Sequence, residues 1–403
     1  MKAHYTAAKR ASTIKYAIRD VVKYAKDLEE KGNKICYLNI GDPVKFDFDT
    51  PKHLKSALWE AVKKGENWYG PSEGLLKLRK AVCRKEKRIN GIDISPEDVV
   101  VTSGVSEGIL FTMAALIEGG DEVLVPGPTY PPYTSYSKFF GGTPISYRTI
   151  EEEGWRPDIA DIKSKISAKT KCIVLISPNN PCGAVYDSRT IAEISELANQ
   201  NDLIILSDEI YDRIVYEERF SSAARVAKNS SVIGLNGFSK VYLATGWRVG
   251  YLYFHDPDGR LDVIKESVKK QARIRLCANT PIQKAAIAAL DGPQDHIKQM
   301  VEKLRKRRDF AWKRLNQIEG ITCSKPKGAF YLFPRVHGIG QRWKTDREFV
   351  LEVLRKTGVL FVHGSGFCET YGAGHFRSVF LPPVETLTHA FNLLEQFMES
   401  KGS

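Results

Sequence analysis

Gly237-Phe238-Ser239-Lys240-Val241-Tyr242-Leu243-Ala244-Thr245-Gly246-Trp247-Arg248-Val249-Gly250 puts a lysine in a short polar turn and an arginine eight positions later. The run before it, Val232-Ile233-Gly234-Leu235-Asn236, has the unbroken apolar character of a strand buried on both faces. Lys240 therefore falls just past a strand's carboxyl end, the edge of an open α/β sheet where ligands bind. In a chain with 60 Lys and Arg a lone Ser-Lys reads as a solvated amine, and the buried strand ahead of it is what separates this one.

The same pattern recurs upstream. Leu203-Ile204-Ile205-Leu206-Ser207 runs into Asp208-Glu209-Ile210-Tyr211, and Cys172-Ile173-Val174-Leu175-Ile176-Ser177 runs into Pro178-Asn179-Asn180-Pro181-Cys182-Gly183. Taken alone, Asp208 reads as the N-cap of a following helix and the Pro-Asn-Asn-Pro run as a turn. Val99-Val100-Val101-Thr102 leads through Ser103-Gly104 into a helical run from Ile109 to Ile117. There the free N–H groups of Val105 and Ser106 and the helix dipole suit an anion, and Arg248 would add formal charge. Val123-Leu124-Val125 is followed by Pro126-Gly127-Pro128-Thr129-Tyr130, a proline-rich loop by composition. Arg377 lies in the strand-like run 374–381, where an unpaired guanidinium would be costly and where its fork could take a carboxylate through two parallel hydrogen bonds. A salt-bridged surface arginine is its plain alternative, as a turn glycine is for Gly41 in Asn39-Ile40-Gly41-Asp42-Pro43.

Together these segments resemble the fold-type I pyridoxal phosphate enzymes, in particular the class I and II aminotransferases. Asp208-Glu209-Ile210-Tyr211 matches the family's SDEIY segment, Asn180-Pro181-Cys182-Gly183 its NPTG loop with cysteine in place of threonine, and Asn39 to Pro43 its NIGDP. The resemblance implies pyridoxal 5'-phosphate as cofactor, held as a Schiff base on Lys240. Asp208 would pair with the ring nitrogen, while Tyr211 and Asn180 would hydrogen-bond the ring's phenolic oxygen. Val105, Ser106, Ser239 and Arg248 would hold the phosphate, and Tyr130 would stack on the ring. Family members often carry serine where this chain has Gly237, which leaves one phosphate contact open. Arg377 would clamp the substrate carboxylate with Asn180, against the backbone of Gly41. Trp68-Tyr69-Gly70-Pro71 resembles the loop that reaches a neighbouring subunit's phosphate, so Tyr69 implies a homodimer with shared active sites. Tyr16-Ala17-Ile18-Arg19-Asp20, Arg273 to Asn279 and His363 to Phe367 are closest to the archaeal and bacterial alanine aminotransferases. Tyr16 and Arg19 are the candidates there for handling the substrate side chain.

A chain of 403 residues, 42% hydrophobic, can bury a large core and divide into about two domains. Alternating strands and helices from Phe48 through the 280s imply an α/β fold, a mainly parallel sheet with helices on both faces. Ile297, Met300, Val301, Leu304, Ala311 and Leu315 recur at helical spacing in a long connecting helix. The expected division is an N-terminal segment 1–47 of a small domain, a large cofactor domain 48–290, and a C-terminal part 291–403. The small domain is thus discontinuous and α+β.

Net charge is +12, but no helix-turn-helix or zinc-finger pattern accompanies it. The run Arg305-Lys306-Arg307-Arg308 reads as the solvated face of one helix, so no nucleic-acid partner is expected. Seven cysteines without a Cys-x-x-Cys pair suit a reducing cytoplasm. Eight histidines in no ligand pattern give no metal site. No leader or apolar run of membrane length stands out, and glycine-rich nucleotide motifs are absent. The expected activity is ping-pong transamination between amino acids and 2-oxo acids, L-alanine with 2-oxoglutarate giving pyruvate and L-glutamate. An aminotransferase for aspartate or aromatic amino acids and a carbon–sulfur β-lyase would use the same cofactor residues. A non-catalytic regulator would need a DNA-binding domain, and about forty residues before Gly41 leave little room for one.

Overall fold

The computed structural model describes residues 5–400. Its centre is an eight-stranded sheet whose strands lie in the spatial order Val99–Thr102, Gly250–His255, Val232–Gly237, Ile204–Asp208, Thr170–Ile176, Glu122–Gly127, Thr143–Ile150 and Arg156–Pro157. The neighbours from Val232–Gly237 through Thr143–Ile150 pair in parallel. Gly250–His255 runs antiparallel to both its neighbours, and Arg156–Pro157 is an antiparallel edge.

Successive side chains of a strand point to opposite faces, and here both faces are covered. Val100, Val174, Ile176, Ile233 and Leu235 pack with Ile109 and Met113 on one side. Val99, Ile173, Leu175, Ile205 and Val232 pack with Ile191, Ile194 and Leu290 on the other. Two buried faces explain why these strands read as continuous apolar runs rather than alternating ones.

Beyond the large sheet, the N-terminal segment and the C-terminal part share structure. Cys36–Tyr37 pairs in parallel with Val359–Leu360, and Val379 N donates to Leu38 O at 2.9 Å. A three-stranded antiparallel sheet joins Tyr331–Leu332, Phe376–Val379 and Val362–His363, with Phe376–Val379 in the middle. The long helix Asp295–Leu315 buries Ile297, Met300, Leu304, Ala311 and Leu315, as their spacing requires.

That helix corrects one expectation. Arg305 and Lys306 are solvated, but Arg307 and Arg308 are buried. Arg307 donates from both terminal nitrogens to Asp47 at 2.8 and 2.6 Å. Arg308 reaches Glu217 and Asp309 and lies over the Tyr216 ring at 4.3 Å. Consecutive helical residues are about 100° apart around the axis, so four successive charges cannot share one face.

Candidate active site

A pocket of about 520 Å³ opens where the carboxyl ends of the parallel strands meet the N-terminal segment and the three-stranded sheet. Every site residue expected from the sequence lines it except Tyr69, which stands 81% exposed in its loop.

Lys240 Nζ donates to Gly41 O at 2.6 Å, a neutral acceptor. Burial is the largest influence on this amine. With Arg377 and Arg248 nearby it outweighs the attraction of Asp42 and pushes the pKa down from 10.5 to about 8. A lysine so placed is partly neutral near physiological pH, as a nucleophile and proton carrier needs to be.

Asp208 is 3% exposed at the end of its strand. Its Oδ2 accepts from Tyr133 OH at 2.9 Å and its Oδ1 from Ile210 N at 3.2 Å. No helix follows, so the helix-cap reading fails; the contact to Ile210 closes a turn instead. Burial raises its pKa to about 6, against the hydrogen bonds from Tyr133 and Ile210 that favour the anion. Tyr211 in the same turn places its hydroxyl 2.7 Å from that of Tyr331.

The floor beneath this turn is a buried ionic cluster. Asp212 Oδ2 accepts from Lys85 Nζ at 2.5 Å, Asn236 Nδ2 at 3.0 Å and Asn90 Nδ2 at 3.1 Å. Lys85 also reaches Glu86 at 3.0 Å, which accepts from Tyr251 OH. One set of ion pairs thereby ties together the strand ends that carry Tyr211, Lys240 and Gly250.

The loop expected to hold an anion depends on close backbone approach. Gly104 has φ +80°, and a Cβ there would lie 2.9 Å from Arg248 Cζ. Its absence lets the guanidinium lie against the amino end of the helix Val105–Leu116. Arg248 donates to Ser103 O at 3.3 Å, to Thr245 O at 3.1 Å and to Ser239 Oγ at 3.5 Å. Gly237 is crowded: a Cβ would stand 3.0 Å from Gly250 Cα and 3.2 Å from Val249 O. Serine at this position would require the paired strand to give by a few tenths of an ångström.

Arg377 is not a surface arginine. It is 1% exposed, flanked by the rings of Tyr331 at 4.5 Å and Phe367 at 4.9 Å. Nη1 donates to Asn180 Oδ1 at 2.7 Å and Nη2 to Asn39 O, while Nε is buried without a partner. A buried guanidinium with an unused donor is a ready carboxylate receptor. The neighbouring turn is held by Asn179, whose Oδ1 accepts from Cys182 N at 3.3 Å and Cys182 Sγ at 3.1 Å, so the cysteine takes the place of a hydroxyl donor.

Above the pocket, Tyr16 and Tyr130 meet edge to face at 6.3 Å with their hydroxyls 3.1 Å apart. Arg19 is exposed at the rim. Sequence reasoning passed over Tyr331, Tyr133 and the Lys85 cluster. Tyr331 sits among Phe330, Leu332 and Phe333 and reads as core. The signal was its hydroxyl, since a phenol in a buried strand needs a polar partner.

Residues 33–393 match the family model for aminotransferase class I and II. The chain belongs to this family. An alanine aminotransferase from Mycobacterium tuberculosis is 37% identical over 402 residues, 98% of this chain and 93% of the relative. The glutamate-pyruvate aminotransferase AlaA of Haemophilus influenzae is 40% identical over 388 residues, 95% of each chain. Among solved structures, an alanine aminotransferase from Pyrococcus furiosus superposes with TM-score 0.96 at 55% identity, covering 98% of this chain and all of that one. The Thermus thermophilus aspartate aminotransferase with maleate gives TM-score 0.88 at 31% identity, covering 98% of this chain and 100% of that one. The protein is an aminotransferase with the family's large, mostly parallel sheet and smaller accessory sheets. Among the described residues no helix is long and apolar enough to cross a membrane, and no group of three or more His, Cys, Asp or Glu could hold a metal.

Proposed function

We propose that the protein binds pyridoxal 5'-phosphate at Lys240 and transfers the amino group of L-alanine to 2-oxoglutarate, giving pyruvate and L-glutamate. The observation that carries the cofactor reading is a buried lysine amine with only a neutral oxygen as partner, which burial pushes below the ordinary lysine pKa, in one pocket with a buried carboxylate, Asp208, and a buried arginine with an unused donor. The choice of substrates follows the relatives named for alanine and for glutamate and pyruvate. When bound, pyridoxal phosphate supplies an aldehyde for the amino group and a ring that accepts electron density.

The chain's own residues then divide the work. Arg248, Ser106, Ser239 and the N–H of Val105 hold the phosphate. Asp208 would stabilise a proton on the ring nitrogen, Tyr211 and Asn180 would hydrogen-bond the ring oxygen, and Tyr130 would cover the ring. Arg377 orients the substrate carboxylate with Asn180, beside Gly41, so that the bond to the Cα hydrogen lies within reach of Lys240. Lys240 Nζ takes that proton as base and returns it as acid on the other side of the exchange. Tyr16 covers the methyl group of alanine, and Arg19 at the rim swings in for the distal carboxylate of 2-oxoglutarate.

The same reading makes the enzyme a homodimer. Trp68, Tyr69, Leu76, Ile274 and Leu276 are exposed apolar residues in two segments held together by hydrogen bonds from Thr280 to Trp68 O and Arg275 to Ser72 O. Such a patch suits a partner subunit, with each Tyr69 reaching the partner's phosphate. The described parts of 1–47 and 291–403 make up one domain and 48–290 the other, and the free cysteines fit the cytoplasm. Borohydride reduction followed by peptide mapping should place the cofactor on Lys240, and L-alanine should bleach the visible band with release of one pyruvate per site. A colourless protein, or one bleached by other amino acids and not by alanine, overturns the cofactor or the substrate assignment respectively.

A further inference from the structure

Tyr331 occupies a junction that neither the cofactor residues nor the substrate clamp accounts for. Its phenol is 2% exposed and sits 2.7 Å from the hydroxyl of Tyr211. Its ring lies 4.5 Å from the guanidinium of Arg377, on the same face of adjacent strands: Tyr331 pairs with Val379, two residues from Arg377. The position is tight. Gly41, whose carbonyl takes the Lys240 hydrogen bond, has no room for a Cβ against the Tyr331 phenol and Phe330. Phenylalanine at 331 would fill the same space as its neighbours Phe330 and Phe333 without a hydroxyl to satisfy.

Two facing phenols have two protons and share one hydrogen bond, so one proton is left to point elsewhere. When Tyr331 donates to Tyr211, the Tyr211 proton is free to enter the pocket; when Tyr211 donates to Tyr331, it is not. The Arg377 cation favours proton loss from both phenols, but it lies against the Tyr331 ring and so makes that phenol the better donor. A carboxylate on Arg377 compensates the cation and weakens the preference.

We propose that Tyr331 is a positioning residue that transmits occupancy of the carboxylate site at Arg377 to the hydroxyl of Tyr211. The inference rests on the reading of Tyr211 as the partner of the cofactor's phenolic oxygen. Besides Arg377, the groups acting on Tyr331 are Tyr211 and Asp208 from the turn at the end of Ile204–Asp208 and Tyr16 from the N-terminal segment. Burial is the largest influence and opposes loss of its proton, as do Tyr16 and Asp208, while Arg377 and the hydrogen bond with Tyr211 favour it; of these, Arg377 is the one whose influence a substrate carboxylate can switch. The consequence is directional. With the carboxylate site empty, Tyr211 donates well into the pocket and draws charge from the ring oxygen, which lowers the affinity of the Lys240-bound nitrogen for its proton. With the site filled, that donation weakens and the nitrogen holds its proton more tightly, ready for the incoming amino group to shed one.

The test is Tyr331→Phe, which keeps the ring and its stacking on Arg377 and removes only the hydroxyl. The visible absorbance of the holoenzyme is titrated against pH with and without propionate, a carboxylate lacking an amino group. In the unsubstituted enzyme propionate should raise the midpoint. Tyr331→Phe leaves Tyr211 no phenol to turn to, so its midpoint should start no higher than the parent's, and propionate should move it by less than half as much. A propionate response equal to that of the parent overturns the proposal. So does a variant that changes propionate affinity alone, because Tyr331 would then serve only the clamp. Cofactor content and melting temperature separate loss of fold from loss of coupling: a variant that binds cofactor and melts like the parent yet shows the altered midpoints supports the proposal. If the unsubstituted enzyme has no visible band and no borohydride adduct at Lys240, the reading of the site itself has failed. An intact band with an unaltered Tyr331→Phe response sinks only this inference.

Discussion

Lys240→Met should make the cofactor-free protein more stable at neutral pH. Burial is the main reason the folded Lys240 has a pKa of about 8 against the ordinary 10.5, which disfavours its charged form by about 3 kcal/mol. Below pH 8 the amine is protonated in both the folded and unfolded chain, and the full penalty is present. Between 8 and 10.5 the unfolded chain holds a proton that the folded chain has lost, so stability rises with pH, and above 10.5 the penalty is gone. Methionine carries no charge and fills a similar volume, but it gives up the hydrogen bond to Gly41 O, worth about 1 kcal/mol. The expected gain is thus about 2 kcal/mol at pH 7. Thermal melting of the cofactor-free parent and variant, run in parallel at pH 7 and pH 10, measures the difference. The melting-temperature advantage of Lys240→Met should be largest at pH 7 and shrink or reverse at pH 10. A variant that is less stable at pH 7, or whose advantage is the same at both values, would refute the burial argument. It would also remove the physical basis for a reactive amine.

The remaining expectations concern the groups around that lysine. Arg377→Lys keeps the charge and loses the planar fork; kcat/KM for L-alanine should fall roughly 100-fold or more, and a drop under threefold would show that the carboxylate binds elsewhere. Asp208 has a pKa raised to about 6, burial being the first cause, so its anion is lost as pH falls through 6. Cofactor retention on dialysis should weaken below pH 6 in the parent, and Asp208→Asn should release cofactor readily at every pH; equal retention by both would exclude a charge-dependent contact. Lys85→Met strands Glu86 and Asp212 in a fully buried cluster and should destabilise by about 3–5 kcal/mol, visible as a large fall in melting temperature that Lys85→Arg partly restores. Arg19→Ala should raise the KM for 2-oxoglutarate and leave that for L-alanine nearly unchanged; equal effects on both substrates would sink the swinging-cation reading.

How much of this was legible in the chain depends on how local each signal is. Lys240, Asp208, Asn180 and the Ser103-Gly104 loop each follow an apolar strand directly, so a short window contains both the strand and the group it delivers. Parallel strands then do the assembling: pairing puts Ile176 beside Asp208 and Asp208 beside Leu235, and whatever follows those ends shares one edge. Residues whose meaning depends on a partner far along the chain were not legible. Lys85 is an ordinary helical lysine until the fold sets it against Asp212, 127 positions away. Tyr331 is an ordinary core aromatic until it meets Tyr211 across 120 positions. The basic run on the connecting helix fails for a related reason. Its two inner arginines are committed to Asp47 and Glu217, and neither acid is near in sequence.

Tyr69 marks the limit from the other side. Among the described residues nothing engages its side chain at the pocket, yet the loop that holds it is tied down, with Gly70 beside Thr280 and Trp68 O bonded to the same hydroxyl. Those contacts order the backbone around an aromatic whose ring stays 81% exposed, an exposure that a second surface covering the ring would relieve. Lys240 and Arg377 line the pocket from one chain, whereas the Arg248 end, proposed to hold the phosphate, is where the proposed partner's Tyr69 loop would reach. The subunit contact should therefore bear on cofactor retention more than on substrate affinity. In Tyr69→Ala, loss of cofactor on dilution with an unchanged KM for L-alanine is the expected split. The opposite split would place the neighbour's contribution at the substrate end of the pocket.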